Sequence, residues 1–153
     1  MNRVHCLVFL LIVLNSLQAQ ETAFSLPLDL EEGEELIQLQ ADILSYAALT
    51  VINRNDPDNK QYFVRFENGK TGPWLEVKYL QAALDSSGFL YTAKNEQGWF
   101  AVEGDKKYGP YFEVPKLRSG KSAFCCLYLA KENENSNQLL YNRDKVIGGA
   151  AGI

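Results

Sequence analysis

Apolar residues come in short runs along this chain, separated by clusters of Asn, Asp, Glu, Gly and Pro. Thr50-Val51-Ile52-Asn53-Arg54, Leu90-Tyr91-Thr92-Ala93-Lys94 and Leu127-Tyr128-Leu129-Ala130-Lys131 are rich in β-branched and aromatic residues and read as strands. Each is followed by a polar hairpin, at residues 55–60, 95–97 and 132–137, and by a returning strand at 61–67, 98–103 and 138–142. Tight turns follow at Asn68-Gly69 and Gly104-Asp105, whose residues tolerate positive φ. Upstream, Leu36-Ile37-Gln38-Leu39-Gln40 alternates weakly and residues 43–49 are apolar, which predicts one or two further strands. Residues 78–87 and 115–119 read as connections to the next unit with room for a fourth strand, and one helical turn is open to residues 79–84.

The units repeat. Residues 62–77 lie over 99–114 without a gap, Gly72-Pro73-Trp74 matching Gly109-Pro110-Tyr111 at an offset of 37. A weaker third copy places Arg143-Asp144-Lys145-Val146-Ile147-Gly148-Gly149 over Gly104-Asp105-Lys106-Lys107-Tyr108-Gly109-Pro110, with glycine in place of the proline. The Gly-Pro-aromatic segment is expected to open a third, edge-like strand ending at Val77 and Val114, because proline donates no ladder hydrogen bond. The expected fold is all-β: antiparallel meander units at about 43–80, 81–117 and 118–153, in a β-repeat domain over 36–153.

Ser87-Gly88, Tyr91-Thr92-Ala93-Lys94, Trp99-Phe100-Ala101-Val102, Gly104-Asp105-Lys106-Lys107 and Gly109-Pro110-Tyr111-Phe112-Glu113-Val114, with Ser119-Gly120-Lys121 opening the next unit, carry a resemblance. They resemble the WD40-like, TolB-type β-propeller repeats of exported bacterial proteins, over residues 43–149. The resemblance implies blade-like sheets and a binding or assembly platform, and it assigns no functional residue. Propellers close with about 4–8 blades, and three units are visible here. An added N-terminal strand set, assembly of several chains, or a truncated propeller would each account for the difference.

The N-terminus changes the picture of compartment. Arg3, the apolar run from Cys6 to Leu14 and the small residue Ala19 have the layout of a secretory signal over residues 1–20, and the apolar run is short for a membrane span. The chain is therefore expected to be exported, to the periplasm or the extracellular space, and to meet the membrane only through that signal. Cleavage would remove His5, the sole histidine, and with it histidine-dependent catalysis and metal sites. It would also remove Arg3 and take the net charge from −4 to −5, which argues against nucleic acid as a partner. Residues 21–35 form an acidic lead-in with Asp29, Glu31, Glu32, Glu34 and Glu35, without the spacing that wraps calcium. Cys125 and Cys126 read as small apolar residues of a central strand, because adjacent positions suit an ordinary disulfide poorly.

The candidate chemistry is recognition. Trp74, Trp99 and Tyr111 are the candidate partner-binding residues, able to stack on a sugar ring or anchor a protein. Trp74 and Tyr111 share one repeat position, however, and an aromatic recurring in phase more often packs between units. Neither a nucleophile elbow nor a phosphate loop is present, and the spacing of Asp85 with Lys94, or Asp105 with Lys106, does not require a catalytic pair. No cofactor or metal is expected. The expectation is an exported, non-enzymatic scaffold for a protein or glycan partner, with self-assembly open. The alternatives are the propeller part of a larger exported hydrolase, or a purely structural envelope component.

Overall fold

The structure is a computed structural model. It describes residues 28, 30–41, 45–53, 60–67, 69–83, 88–120 and 126–149. The expected signal over 1–20, the loop at 54–59, Asn68, Ser87, Lys121 and Cys125 lie outside these residues. The chain divides into two units, Met1–Glu34 and Glu35–Ile153. The described part of the first is a turn around Gly33 (φ 78°), in which the Glu31 amide donates to Glu34 Oε2 at 2.9 Å and the Glu34 amide to Glu31 O at 3.0 Å.

All twelve elements among the described residues are strands: β1 (Glu34–Ala41), β2 (Tyr46–Asn53), β3 (Lys60–Phe66), β4 (Gly69–Trp74), β5 (Glu76–Ala82), β6 (Phe89–Asn95), β7 (Gly98–Glu103), β8 (Lys106–Tyr111), β9 (Glu113–Arg118), β10 (Leu127–Lys131), β11 (Leu139–Asn142) and β12 (Lys145–Gly149). They form three four-stranded sheets, β1–β4, β5–β8 and β9–β12, each a meander in chain order. Every register recorded between neighbouring strands is antiparallel. The all-β meander architecture read from the sequence is the observed one, and each sheet has the form of a propeller blade.

The Gly-Pro signature has a steric cause. In β3–β4 the register passes from Tyr62↔Trp74 to Val64↔Thr71, so β4 carries one extra residue. In β7–β8 it passes from Trp99↔Tyr111 to Ala101↔Tyr108, the same bulge. At that point a Cβ on Gly72 (φ 127°) would meet Tyr62 O at 2.7 Å, and one on Gly109 (φ 134°) would meet Trp99 O at 2.7 Å. Only glycine, having no Cβ, can combine that φ with that approach. Both glycines precede cis prolines. In the third sheet the bulge falls between Leu140↔Gly148 and Tyr141↔Val146, again at the glycine of the repeat.

The strand expected to run from Gly72 to Val77 is two strands, as is its counterpart from Gly109 to Val114. The chain passes to the next sheet at Leu75 and at Phe112. Their amides donate to Lys94 O at 2.8 Å and to Lys131 O at 2.9 Å, in the following sheet. Sheet boundaries therefore fall at 75 and 112, upstream of the 80 and 117 drawn from the repeat. The segments read as connections supply β5 and β9, and residues 79–82 are strand, not a helical turn.

Two apolar clusters lie between successive sheets. Ala47, Leu49, Val64 and Trp74 meet Val77, Leu80, Tyr91 and Phe100 in the first. Leu90, Trp99 and Ala101 meet Val114, Leu117, Tyr128 and Tyr141 in the second. Period-two alternation sends opposite faces of β6 into the two clusters, which is why Leu90, Tyr91, Thr92 and Ala93 are all fully buried.

Candidate functional site

Trp74, Trp99 and Tyr111 are all held inside the stack. Trp74 is 4 % exposed, packs on Phe100 at 6.4 Å between ring centroids, and has Lys107 Nζ 4.8 Å from its own centroid. Trp99 is 9 % exposed, with Lys78 and Lys94 ammonium groups 4.8 and 5.9 Å from its ring. Tyr111 is half-buried, lies 5.2 Å from the Tyr141 ring, and its hydroxyl is 2.9 Å from that of Tyr128. Trp99 and Tyr111 are cross-strand partners at the second cluster, whereas Trp74 belongs to the first. Their neighbours are protein groups, as suits residues that fill the space between sheets.

The polar groups that do converge come from the first strands of the second and third sheets. In β5 the register passes from Lys78↔Thr92 to Gln81↔Leu90, so this strand also carries one extra residue. The bulge rephases the strand: Val77 and Leu80, three apart, both turn into the first cluster, while Lys78 and Tyr79 are both exposed. Tyr79 has φ 58°, a left-handed conformation costly for a bulky L-residue. Its hydroxyl donates to Pro115 O in β9 at 2.5 Å. Two residues on, Gln81 Nε2 donates to Leu117 O at 3.2 Å. A similar amide bond joins the preceding sheets, Gln38 Nε2 to Leu80 O at 3.1 Å. These side-chain bonds tie each sheet's first strand to the next.

Between β5 and the end of β9 lies an open cleft of about 440 Å³, lined by Tyr79, Leu80, Gln81, Leu117, Arg118 and Ser119. Leu80 and Leu117 are buried beneath it. Arg118 is exposed and forms no ion pair among the described residues. The cleft's described lining thus presents an aromatic ring, a carboxamide and a guanidinium beside Ser119, and none of those six residues is a carboxylate. Sequence reasoning missed it because these residues fell in supposed connections. The available signal was the spacing Val77-x-x-Leu80, repeated as Val114-x-x-Leu117, which marks two strands that each depart from strict alternation.

A second polar centre joins the second and third sheets. Glu103, at the end of β7, accepts from Arg143 Nε at 3.0 Å, from Arg143 Nη2 at 2.9 Å and from the Tyr108 hydroxyl at 2.8 Å. Burial and the Glu103 carboxylate raise the Tyr108 phenol well above its ordinary range. Tyr128 donates to Arg143 O and stacks on Tyr141, whose hydroxyl donates to Glu132 at 2.9 Å. Cys126 lies buried beside this network. Acceptors and donors are matched throughout, so the network suits structure better than proton transfer.

Among the described residues no group of His, Cys, Asp and Glu is arranged to hold a metal ion. No helix among them is long and apolar enough to cross a membrane. No family model, curated protein or solved structure matches this chain.

Proposed function

We propose that the chain is an exported, non-enzymatic interaction scaffold, in which stacked β-meander sheets hold a polar cleft for a protein or glycan ligand. The observation that carries this reading is the cleft of Tyr79, Gln81, Arg118 and Ser119. Three of these residues sit on or at the bulge of two strands tied to each other by side-chain hydrogen bonds, so the recognition groups are held on rigid elements. Guanidinium and carboxamide groups do not exchange protons near neutral pH, which favours holding a ligand over converting it. Export is supported by the n-region, apolar run and small residue within residues 1–20.

The test is a glycan array and a peptide array probed with the purified protein and with Arg118→Ala. The scaffold reading expects hits that Arg118→Ala loses. Arrays empty for both proteins, or hits indifferent to the substitution, would remove the cleft from consideration.

A further inference from the structure

We infer that the cleft takes an acidic sugar: the ring of a uronic acid lies on Tyr79 and its carboxylate on Arg118. This rests on the scaffold reading above and names its ligand class.

Tyr79 is the first observation. A bulge residue in the left-handed region is ordinarily glycine, which adopts that φ without steric cost. Tyrosine stands there at φ 58° with 44 % of its surface exposed. Its hydroxyl is engaged with Pro115 O, so what it offers outward is ring surface. A flat aromatic face fixed at its far end is a stacking platform for a pyranose.

Arg118 is the second. The chain shows what a guanidinium does when a carboxylate is in reach, because Arg143 grips Glu103 through two nitrogens at 2.9 and 3.0 Å. Arg118 has no such partner among the described residues, and none of the described cleft-lining residues is acidic. The missing partner is then expected on the ligand, as a carboxylate that matches the guanidinium fork. Gln81, whose Nε2 is engaged with Leu117 O and Tyr79 O, flanks it with a carboxamide oxygen that can accept from a sugar hydroxyl. Leu80 and Leu117 are buried below the surface, so no apolar pocket opens for a peptide side chain. That favours a saccharide over an acidic peptide.

The experiment is calorimetric titration of the full chain with tetragalacturonate, its methyl ester and a tetraglutamate peptide. The acid is expected to bind, with the ester about tenfold or more weaker because only the charge is removed. The peptide is expected not to bind. Arg118→Gln should abolish the difference between acid and ester. Tyr79→Phe keeps the ring but loses its anchor on Pro115 O and should weaken binding only a few-fold, and Tyr79→Gly should lose it while the fold persists, since glycine suits φ 58°. If Tyr79→Gly fails to fold, Arg118→Gln still decides the matter. Equal binding of acid and ester, peptide binding as tight as the sugar's, or an unchanged Arg118→Gln would each overturn the inference. No uronate binding alongside array hits that Arg118→Ala removes would overturn it and leave the scaffold reading standing. No hit of any kind would end both.

Discussion

Where the first and second sheets meet, Phe66 packs on Phe89 with ring centroids 6.2 Å apart, and Gly104 in the adjoining turn brings no side chain. Where the second and third sheets meet, the same repeat positions hold Glu103, Cys126 and Arg143. The backbone is the same at both places: Gly104 N donates to Phe89 O at 3.1 Å and Arg143 N to Cys126 O at 3.0 Å. At the second junction smaller side chains replace two aromatic rings, and the Arg143 side chain reaches back to Glu103. The turn position keeps its left-handed conformation, φ 56° at Gly104 and 57° at Arg143. In arginine that costs about 1 kcal/mol, offset by a charge-assisted bidentate bond. The repeat therefore specifies a backbone frame, and one frame accepts an apolar or an ionic filling.

The comparison can be broken hardest at its apolar side. Phe89→Ala removes a ring 3 % exposed and is expected to cost about 3–5 kcal/mol in denaturant unfolding. A loss below about 1 kcal/mol would mean that the first junction carries little of the stability. Next comes the frame itself. Gly109→Ala puts a Cβ 2.7 Å from Trp99 O and 3.2 Å from Phe100 Cδ1, and should cost about 2 kcal/mol or more. Arg143→Ala is expected to cost about 2 kcal/mol, because Glu103 is 8 % exposed while the Arg143 side chain is 43 % exposed and partly screened. Unlike Phe89→Ala, its penalty should shrink in high salt; equal penalties at low and high salt would deny the ionic character of the second junction.

Alkaline pH should separate the junctions more gently. Burial pushes Tyr91 up to about 12, and burial together with the Glu132 carboxylate pushes Tyr141 up to about 12. Burial also raises Tyr108, Tyr111 and Tyr128. An unfolded tyrosine ionises near pH 10 and the folded ones resist, so stability is intact below pH 10 and falls as the pH climbs from 10 toward 12. The slope is about 1.4 kcal/mol per pH unit for each such tyrosine. Of the five, only Tyr91 faces the first junction, so amide protection should fade first in β10 and β11. Simultaneous fading in β2 and β10 would contradict this. The smallest net effect is expected from the exchange Glu103→Phe, Cys126→Phe and Arg143→Gly, which rebuilds the first junction at the second site. Apolar replacement of an ion pair balances to within about 1–2 kcal/mol when the volume fits.

Much of the frame was legible before the structure. Leu90 to Lys94, Trp99 to Glu103 and Leu127 to Lys131 alternate or carry β-branched and aromatic residues, and glycine turns bound them. Gly72 and Gly109 announced a shared backbone need without saying what it was, because the carbonyl each must admit belongs to the preceding strand. β5 and β9 stayed open between a fourth strand and a helical turn because one extra residue in each breaks period two, leaving Val77 with Leu80 and Val114 with Leu117 at a spacing that also suits a helix. The cleft was hidden for the same reason. Trp74 and Trp99 drew attention by size, yet burial depends on the neighbouring sheet, which lies outside any local window. Glu103 and Arg143 are 40 residues apart, a distance over which charge patterning carries no signal.

The single-residue passages at Leu75 and Phe112 bear on how the stack is built in time. Each sheet is complete before the chain enters the next, so the main contacts between sheets, β2, β3 and β4 with β5 and β6, and β6 and β7 with β9, join neighbours in sequence. Such a chain can fold one meander at a time, each finished sheet serving as the template for the one that follows. The entropy of closing long loops is then not paid in advance of the contacts that reward it.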